Sequence, residues 1–179
     1  MKYEVIADIY SANLKVREAL AKTVSSISPD EATALPDGEK WTIQQIVEHL
    51  SIVDHGISRI CHRLLEESKT LGNPSDGTVK LSPEFLGKAA VVDSVKIEAP
   101  ERVQPSGGIT IAEALDKMND NRSFVEEMRS DLEKYDVSGS KFPHPYFGDI
   151  TATEWLVVAI GHEHRHTKQI ERLLAKIRR

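Results

Sequence analysis

Apolar residues recur every three or four positions in four long stretches of this chain. The stretches cover residues 4 to about 26, 43 to about 68, 111 to about 135, and the chain beyond residue 151. Charged and polar residues stand between the apolar positions, and Arg17 falls on the polar side of the first stretch. Wound as an α-helix, each stretch has one apolar and one polar face. The pattern therefore predicts four amphipathic helices that bury their apolar faces against one another.

A shared local signal marks the start of three of these helices. A threonine is followed three positions later by Gln or Glu at Thr42, Thr110 and Thr151. In this capping box, the hydroxyl group accepts a hydrogen bond from the backbone, and the longer side chain reaches back to the threonine N–H group. Consistent caps and short polar links favour a helical bundle. We expect an all-α fold, a four-helix bundle that forms a single domain over residues 1–179.

The connection between the second and third helices is long, from about residue 71 to residue 108. Its prolines and glycines predict loops, with a short helix over residues 82–90 and an extended run over residues 90–92. Residues 141–148, with two prolines and a glycine, predict another loop, and residues 28–31 predict a short turn. A connection as long as 71–108 is either functional or a crossover of the bundle.

Two histidines lie on the apolar face of the fourth helix. His162 and His166 are one helical turn apart and share that face with Trp155 and Ile170. His164 points away from it. A buried imidazole without a partner costs about 1 to 3 kcal/mol, so the two inward rings need hydrogen-bond partners or a metal ion.

The second helix carries a third inward histidine, His49, which lies between Ile46 and Val53 on the apolar face. Three histidines from two facing helices supply three nitrogen ligands and leave a fourth position open, as in catalytic metal sites. We expect a divalent metal ion at His49, His162 and His166, with zinc as the first choice and nickel, manganese or iron as alternatives. The simpler alternative is three hydrogen-bonded core residues whose rings lie at different levels of the bundle.

Acidic and amide side chains near these histidines are candidates for supporting roles. A metal-bound imidazole donates the N–H group of its other ring nitrogen to an acceptor, and Glu48, Glu163 and Gln169 are close in sequence, although Glu48 is expected on the solvent-exposed surface. Glu163 is also a candidate catalytic base, because residues 162–166 match the H-E-x-x-H signature of zinc peptidases. A peptidase is disfavoured, since only Glu171 follows as a downstream ligand and a helical chain offers no sheet edge for a peptide.

Several other residues have a structural interpretation beside a functional one. His144 and Trp41 are candidate substrate contacts, although His144 is also explained as an exposed loop residue and Trp41 as a lid over the core. His55 and His62 are expected to be partly solvated. Cys61 is expected to pack as a small hydrophobic residue.

The composition narrows the classes of partner. The formal net charge is -5, and Lys and Arg are scattered among acidic residues, so we expect no nucleic-acid partner. No apolar run is long enough to cross a bilayer, and the N-terminal residues lack a signal-peptide pattern, so we expect no membrane partner. The single cysteine excludes an intramolecular disulfide and agrees with a cytoplasmic protein.

Two segments resemble the motifs of a known family. Residues 41–50, Trp-Thr-Ile-Gln-Gln-Ile-Val-Glu-His-Leu, are similar to the tryptophan, Ser/Thr and His-Leu segment of the DinB-like (DinB/YfiT) superfamily. Residues 147–155, followed by His162, His166 and Gln169, resemble the last-helix motif of the same superfamily.

The resemblance implies a four-helix bundle, often a homodimer, with a metal ion held by His49, His162 and His166. It also implies a small-molecule substrate: some members transfer low-molecular-weight thiols such as bacillithiol or mycothiol to electrophiles, and others open maleylpyruvate-type substrates. The long connection departs from the family pattern, so the substrate does not follow from the resemblance. We expect a metal-dependent hydrolase or thiol-dependent S-transferase; the alternative is a non-catalytic metal-binding or stress-related dimerisation module.

Overall fold

The computed structural model describes residues 3–95 and 97–179 and is a four-helix bundle with short additional elements. The helices in chain order are α1 (Ile6–Val24), α2 (Pro29–Thr33), α3 (Ile43–Leu71), α4 (Pro83–Val91), α5 (Ile111–Glu127), α6 (Arg129–Lys134) and α7 (Ala152–Ile177). In the bundle, α3 packs against both α5 and α7, and α1 packs against α7. The all-α fold and the long connection between the second and third bundle helices are confirmed.

The capping boxes predicted from the sequence form in all three places. The hydroxyl groups of Thr42, Thr110 and Thr151 each accept a hydrogen bond from the backbone N–H group three residues later. At its other end, α3 stops at Gly72, whose φ of 71° is in the left-handed region that suits a residue without Cβ. The helix starts are therefore set by local sequence.

The buried apolar side chains of the described residues form two clusters in the bundle. One contains the first half of α1, the second half of α3 and the first turns of α7, and the other contains the end of α1, the first turns of α3, α5 and the end of α7. Along α7, His162 and His166 fall between Ile160 of the first cluster and Ile170 of the second. Among the described residues, no helix is both long and apolar enough to cross a membrane.

The third predicted helix is not continuous. It was expected over residues 111–135, but α5 ends at Glu127 and α6 begins at Arg129. At Met128 the backbone N–H group bonds to the carbonyl of Val125, three residues earlier, so the last turn of α5 tightens and the α-helix ends there.

Residues 141–148 do not form the plain loop expected from their prolines. Strand β1 (Phe142–His144) pairs antiparallel with β2 (Gly148–Ile150), with Phe142 opposite Ile150. Gly148 has a φ of 81°, which the tight return of the chain requires. The hairpin leads directly into α7.

The connection between α3 and α5 is folded onto the bundle. Its described residues contain α4 and two 3₁₀ turns, Val92–Ser94 and Glu101–Val103, so the extended run predicted for residues 90–92 is wrong. The N–H group of Ser82 donates to Glu154 at 2.7 Å, and Arg165 of α7 donates to two backbone carbonyls at 3.2 and 2.8 Å, those of Val92 and Val95. Residues at the start and in the middle of α7 therefore hold the connection in place.

Candidate metal centre

His49 of α3 meets His162 and His166 of α7 in one compact cluster. The Nε2 atoms of His49 and His162 are 3.2 Å apart, and one ring nitrogen from each of the three residues lies within 4.8 Å of the other two. The ring centroids are 4.5 to 5.1 Å apart. The predicted convergence is confirmed, and the alternative in which the rings lie at different levels of the bundle is wrong.

Hydrogen bonds at the far side of two rings select their tautomers. His49 Nδ1 is 2.7 Å from the carbonyl oxygen of Val103, and His166 Nδ1 is 2.8 Å from Gln169 Oε1. Because both oxygens can only accept, each Nδ1 carries the proton and each Nε2 keeps its lone pair. Gln169, one of the three candidate acceptors named from the sequence, thus accepts from His166, whereas the acceptor for His49 comes from the connection.

The three imidazoles are held in their neutral form. Burial lowers the pKa of His166 to about 4 and also lowers the pKa of His49. The pKa of His162 is well below its ordinary value, first because of burial and then because of the neighbouring His166 and His49. Neutral imidazole is the form that binds a metal ion, so the cluster is ready to do so at neutral pH.

The geometry fits a divalent metal ion. With zinc–nitrogen distances of about 2.0 to 2.1 Å and tetrahedral angles, ligand nitrogens lie about 3.3 Å from one another. The separation of 3.2 Å between the nitrogens of His49 and His162 is close to that value. Three neutral nitrogen donors leave one coordination position for another ligand. The histidine cluster is therefore an open site, in which a bound ion keeps one coordination position for a ligand that the protein does not supply.

Trp41 and His144 both lie in aromatic packing near the cluster. The Trp41 ring contacts the His49 ring, with centroids 4.9 Å apart. His144 Nδ1 accepts hydrogen bonds from the N–H groups of Tyr146 and Phe147, and its ring packs on Trp155 at 4.9 Å. His144 is thus half-buried in β1, so its interpretation as an exposed loop residue is wrong. Substrate contact by His144 or Trp41 stays a prediction.

Glu163 takes part in a buried ion pair outside the cluster. Its two carboxylate oxygens accept from Arg17 Nε and Nη2 at 2.9 and 3.1 Å, and Arg17 also lies 3.4 Å from Asp54. Arg17 is only 5% exposed, so its predicted place on the polar face of α1 is wrong. A buried guanidinium needs such carboxylate partners, which the other helices supply. These contacts favour a structural role for Glu163, and its role as catalytic base stays a prediction.

Glu48 is buried, which corrects the expectation that it lies on the solvent-exposed surface. It is 4% exposed, and its carboxylate accepts hydrogen bonds from Ser106 N, Ser106 Oγ and Gly107 N at 3.0, 2.6 and 2.7 Å. Burial by itself would raise the pKa of Glu48, but these hydrogen bonds lower it below the ordinary value. Sequence reasoning missed this contact because its partners lie 58 and 59 residues away.

The other histidines of α3 and α7, and Cys61, lie where the sequence predicts. His55 and His164 are exposed, and His62 is half-buried against Phe124. Cys61 is fully buried among apolar side chains, and burial raises the pKa of its thiol. None of the four belongs to the histidine cluster.

The H-E-x-x-H segment differs from a zinc peptidase in its surroundings. The third histidine comes from α3, upstream of the segment, and the glutamate is paired with Arg17. Within the described residues, the sheet consists of two three-residue strands. Two helices of a bundle, not a helix and a sheet edge, therefore define the site.

The fold and the site define a four-helix bundle protein with a three-histidine centre suited to a metal ion. The sequence profile of the DinB superfamily matches residues 13–170, so the chain belongs to that superfamily. The uncharacterized protein YuaE of Bacillus subtilis (strain 168) is 23% identical over 162 residues, which cover 87% of this chain and 91% of YuaE. The crystal structure of TT2238, a four-helix bundle protein, superposes with a TM-score of 0.58 at 20% identity and covers 92% of this chain and 96% of TT2238.

Proposed function

We propose that the protein is a metal-dependent enzyme that acts on a small molecule at the centre formed by His49, His162 and His166. A hydrolase or a thiol-dependent S-transferase fits this centre best. The observation that carries the proposal is the meeting of three neutral imidazoles from two helices, two of them with Nε2 free for a ligand. A closed structural site would need a fourth protein ligand, and the cluster of described residues supplies three.

Different residues of the chain would have different roles in this function. The three histidines hold the ion, and imidazole accepts zinc, nickel, manganese or iron, of which zinc is our first choice. When bound, such an ion acts as a Lewis acid that lowers the pKa of a coordinated water or thiol toward neutrality. Trp41 packs on the His49 ring, and we propose that His144, on the hairpin before α7, contacts the substrate.

Metal content tests the first half of the proposal. We expect the purified protein to contain about one divalent ion per chain, measured by elemental analysis after gel filtration, and His162→Ala to lose it. His164→Ala is the matched control, because His164 is exposed on the same helix and should leave the metal content unchanged. Metal-free wild-type protein that binds none of the four ions on addition would refute the proposal.

A reaction screen tests the second half. Metal-loaded protein is incubated with glutathione-like thiols and a generic electrophile, and separately with small ester and amide substrates. We expect turnover that disappears in His162→Ala and persists in His164→Ala. A protein that binds one ion tightly, exchanges no water at it and turns over no substrate would instead support the non-catalytic metal-binding or dimerisation module.

A further inference from the structure

We infer that Glu48 is a positioning residue for the metal ligand His49, acting through residues 103–107 of the connection. This inference deepens the proposed function and rests on it. Neighbouring residues of α3 hold the two ends of this short segment: His49 donates to the Val103 carbonyl, and Glu48 accepts from Ser106 and Gly107. Residues 103–107 thus connect the buried Glu48 carboxylate to the His49 ring, which is one of the three proposed metal ligands.

Both carboxylate oxygens of Glu48 hold a turn of backbone. Oε1 accepts from both the N–H and the hydroxyl group of Ser106, and Oε2 accepts from the N–H group of Gly107. One helical turn earlier, Gln44 Nε2 donates to the Gly107 carbonyl at 3.3 Å. Gly107 has a φ of 78°, a conformation that strains residues with Cβ. The turn therefore depends on a glycine at this position as well as on its hydrogen bonds.

The consequence for His49 is a fixed proton. A neutral imidazole carries its proton on Nδ1 or Nε2, and only the first tautomer leaves Nε2 free to face His162 and His166. The Val103 carbonyl selects this tautomer, because it accepts from Nδ1 at 2.7 Å. If the turn at Ser106 and Gly107 becomes mobile, the Val103 carbonyl is no longer held beside His49 Nδ1. Both the tautomer and the orientation of the His49 ring then become variable.

Glu48→Gln tests this chain of contacts with a minimal change of shape. An amide keeps one acceptor oxygen but places an NH₂ group toward one of the donors, so at least one contact becomes repulsive. Glu113→Gln is the matched control: Glu113 accepts from both the N–H and hydroxyl groups of Thr110 at 2.7 and 2.8 Å. Glu113 therefore has the same contact chemistry but no contact with the segment that reaches His49.

Two measurements separate this inference from the proposed function. The Zn²⁺ dissociation constant, measured by competition with a chelator, should rise about tenfold in Glu48→Gln, as for other groups that orient a metal-bound histidine. In metal-free protein, ¹⁵N NMR of the imidazole should show a single Nδ1–H tautomer for His49 in the wild type and a mixture in Glu48→Gln. Glu113→Gln should match the wild type in both measurements.

Each outcome has a definite meaning. Wild-type protein that binds none of the four ions, Zn²⁺ included, but shows the tautomer change in Glu48→Gln would refute the proposed function and leave the positioning role intact. Zn²⁺ affinity and His49 tautomer both unchanged in Glu48→Gln would overturn the inference alone. If circular dichroism shows that Glu48→Gln does not fold, Ser106→Ala removes one bond of the same set; about threefold weaker Zn²⁺ binding supports the inference, and unchanged binding overturns it.

Discussion

The Nε2 atoms of His49 and His162 lie 3.2 Å apart across the packing of α3 against α7. In metal-free protein this partly buried contact joins two neutral rings, and an ion shared by both would also link the two helices. An ion that binds only the folded protein stabilises it. We therefore expect a metal ion at this centre to increase the free energy of unfolding as well as to support a reaction.

Zinc should raise the free energy of unfolding of the wild-type protein by about 2.7 kcal/mol at a free concentration of one hundred times Kd. Urea denaturation with and without Zn²⁺ measures the difference. His49→Ala should show almost no zinc-dependent change, because it removes the ligand that joins α3 to α7. Equal stabilisation of His49→Ala and the wild type would place the ion elsewhere.

Gln169→Ala should weaken Zn²⁺ binding by about 10- to 100-fold, because the amide oxygen that fixes the proton on His166 Nδ1 is lost. Isothermal titration calorimetry measures the affinity. Lys168→Ala is the control, since Lys168 is the exposed preceding residue and pairs with Glu171. Comparable weakening in both variants would mean that the end of α7, and not the hydrogen bond, sets the affinity.

Glu163→Gln should lower the free energy of unfolding by about 3 kcal/mol, because it leaves the buried Arg17 guanidinium short of one charged partner. Urea denaturation at neutral pH measures the loss. Removing both groups, as in Arg17→Met with Glu163→Leu, should cost less than Glu163→Gln alone. The same variant tests catalysis: a stable Glu163→Gln protein with normal zinc content and no turnover would give Glu163 the catalytic role.

The stability contributed by His144 should depend on pH. Burial lowers its pKa from 6.5 to about 4, so between these values the unfolded chain binds the proton and the folded protein does not. Stability is therefore complete above about pH 6.5 and falls as the pH drops toward 4, by about 2 kcal/mol at pH 5.

Urea denaturation of metal-free protein at pH 7 and pH 5 checks the His144 prediction. His144→Asn keeps an acceptor for the two backbone N–H groups but has no titrating group, so its loss between the two pH values should be about 2 kcal/mol smaller. His164→Asn should behave as the wild type, because His164 is exposed. A pH dependence that His144→Asn leaves unaltered would show that other groups cause it.

The histidine cluster could be predicted because its information is local. His162 and His166 are spaced by one helical turn on an apolar face, and His49 occupies the equivalent place on α3, so periodicity alone brings the rings to the interior. The caps at Thr42 and Thr151 are equally local, since each needs residues within three positions. Such features depend on helix geometry and not on the rest of the fold.

The contacts that sequence reasoning missed join distant parts of the chain. Arg17 pairs with Glu163 across 146 positions, and a single arginine on an amphipathic helix carries no local sign of that partner. Glu48 similarly meets Ser106 only after the connection has folded back. The hairpin before α7 has strands too short for alternation to be visible, and the interruption at Met128 involves neither proline nor glycine.

The carboxylate of Glu154 has two partners: it accepts from Thr151 N at the first turn of α7 and from Ser82 N at the start of α4. Because α7 follows the connection in the chain, Glu154 and Arg165 are synthesised after the residues of the connection that they bind. During synthesis on the ribosome, the bonds that Ser82, Val92 and Val95 make with α7 cannot form until α7 has emerged and docked. These contacts of the connection and the last two histidines of the cluster, His162 and His166, therefore both depend on the same helix.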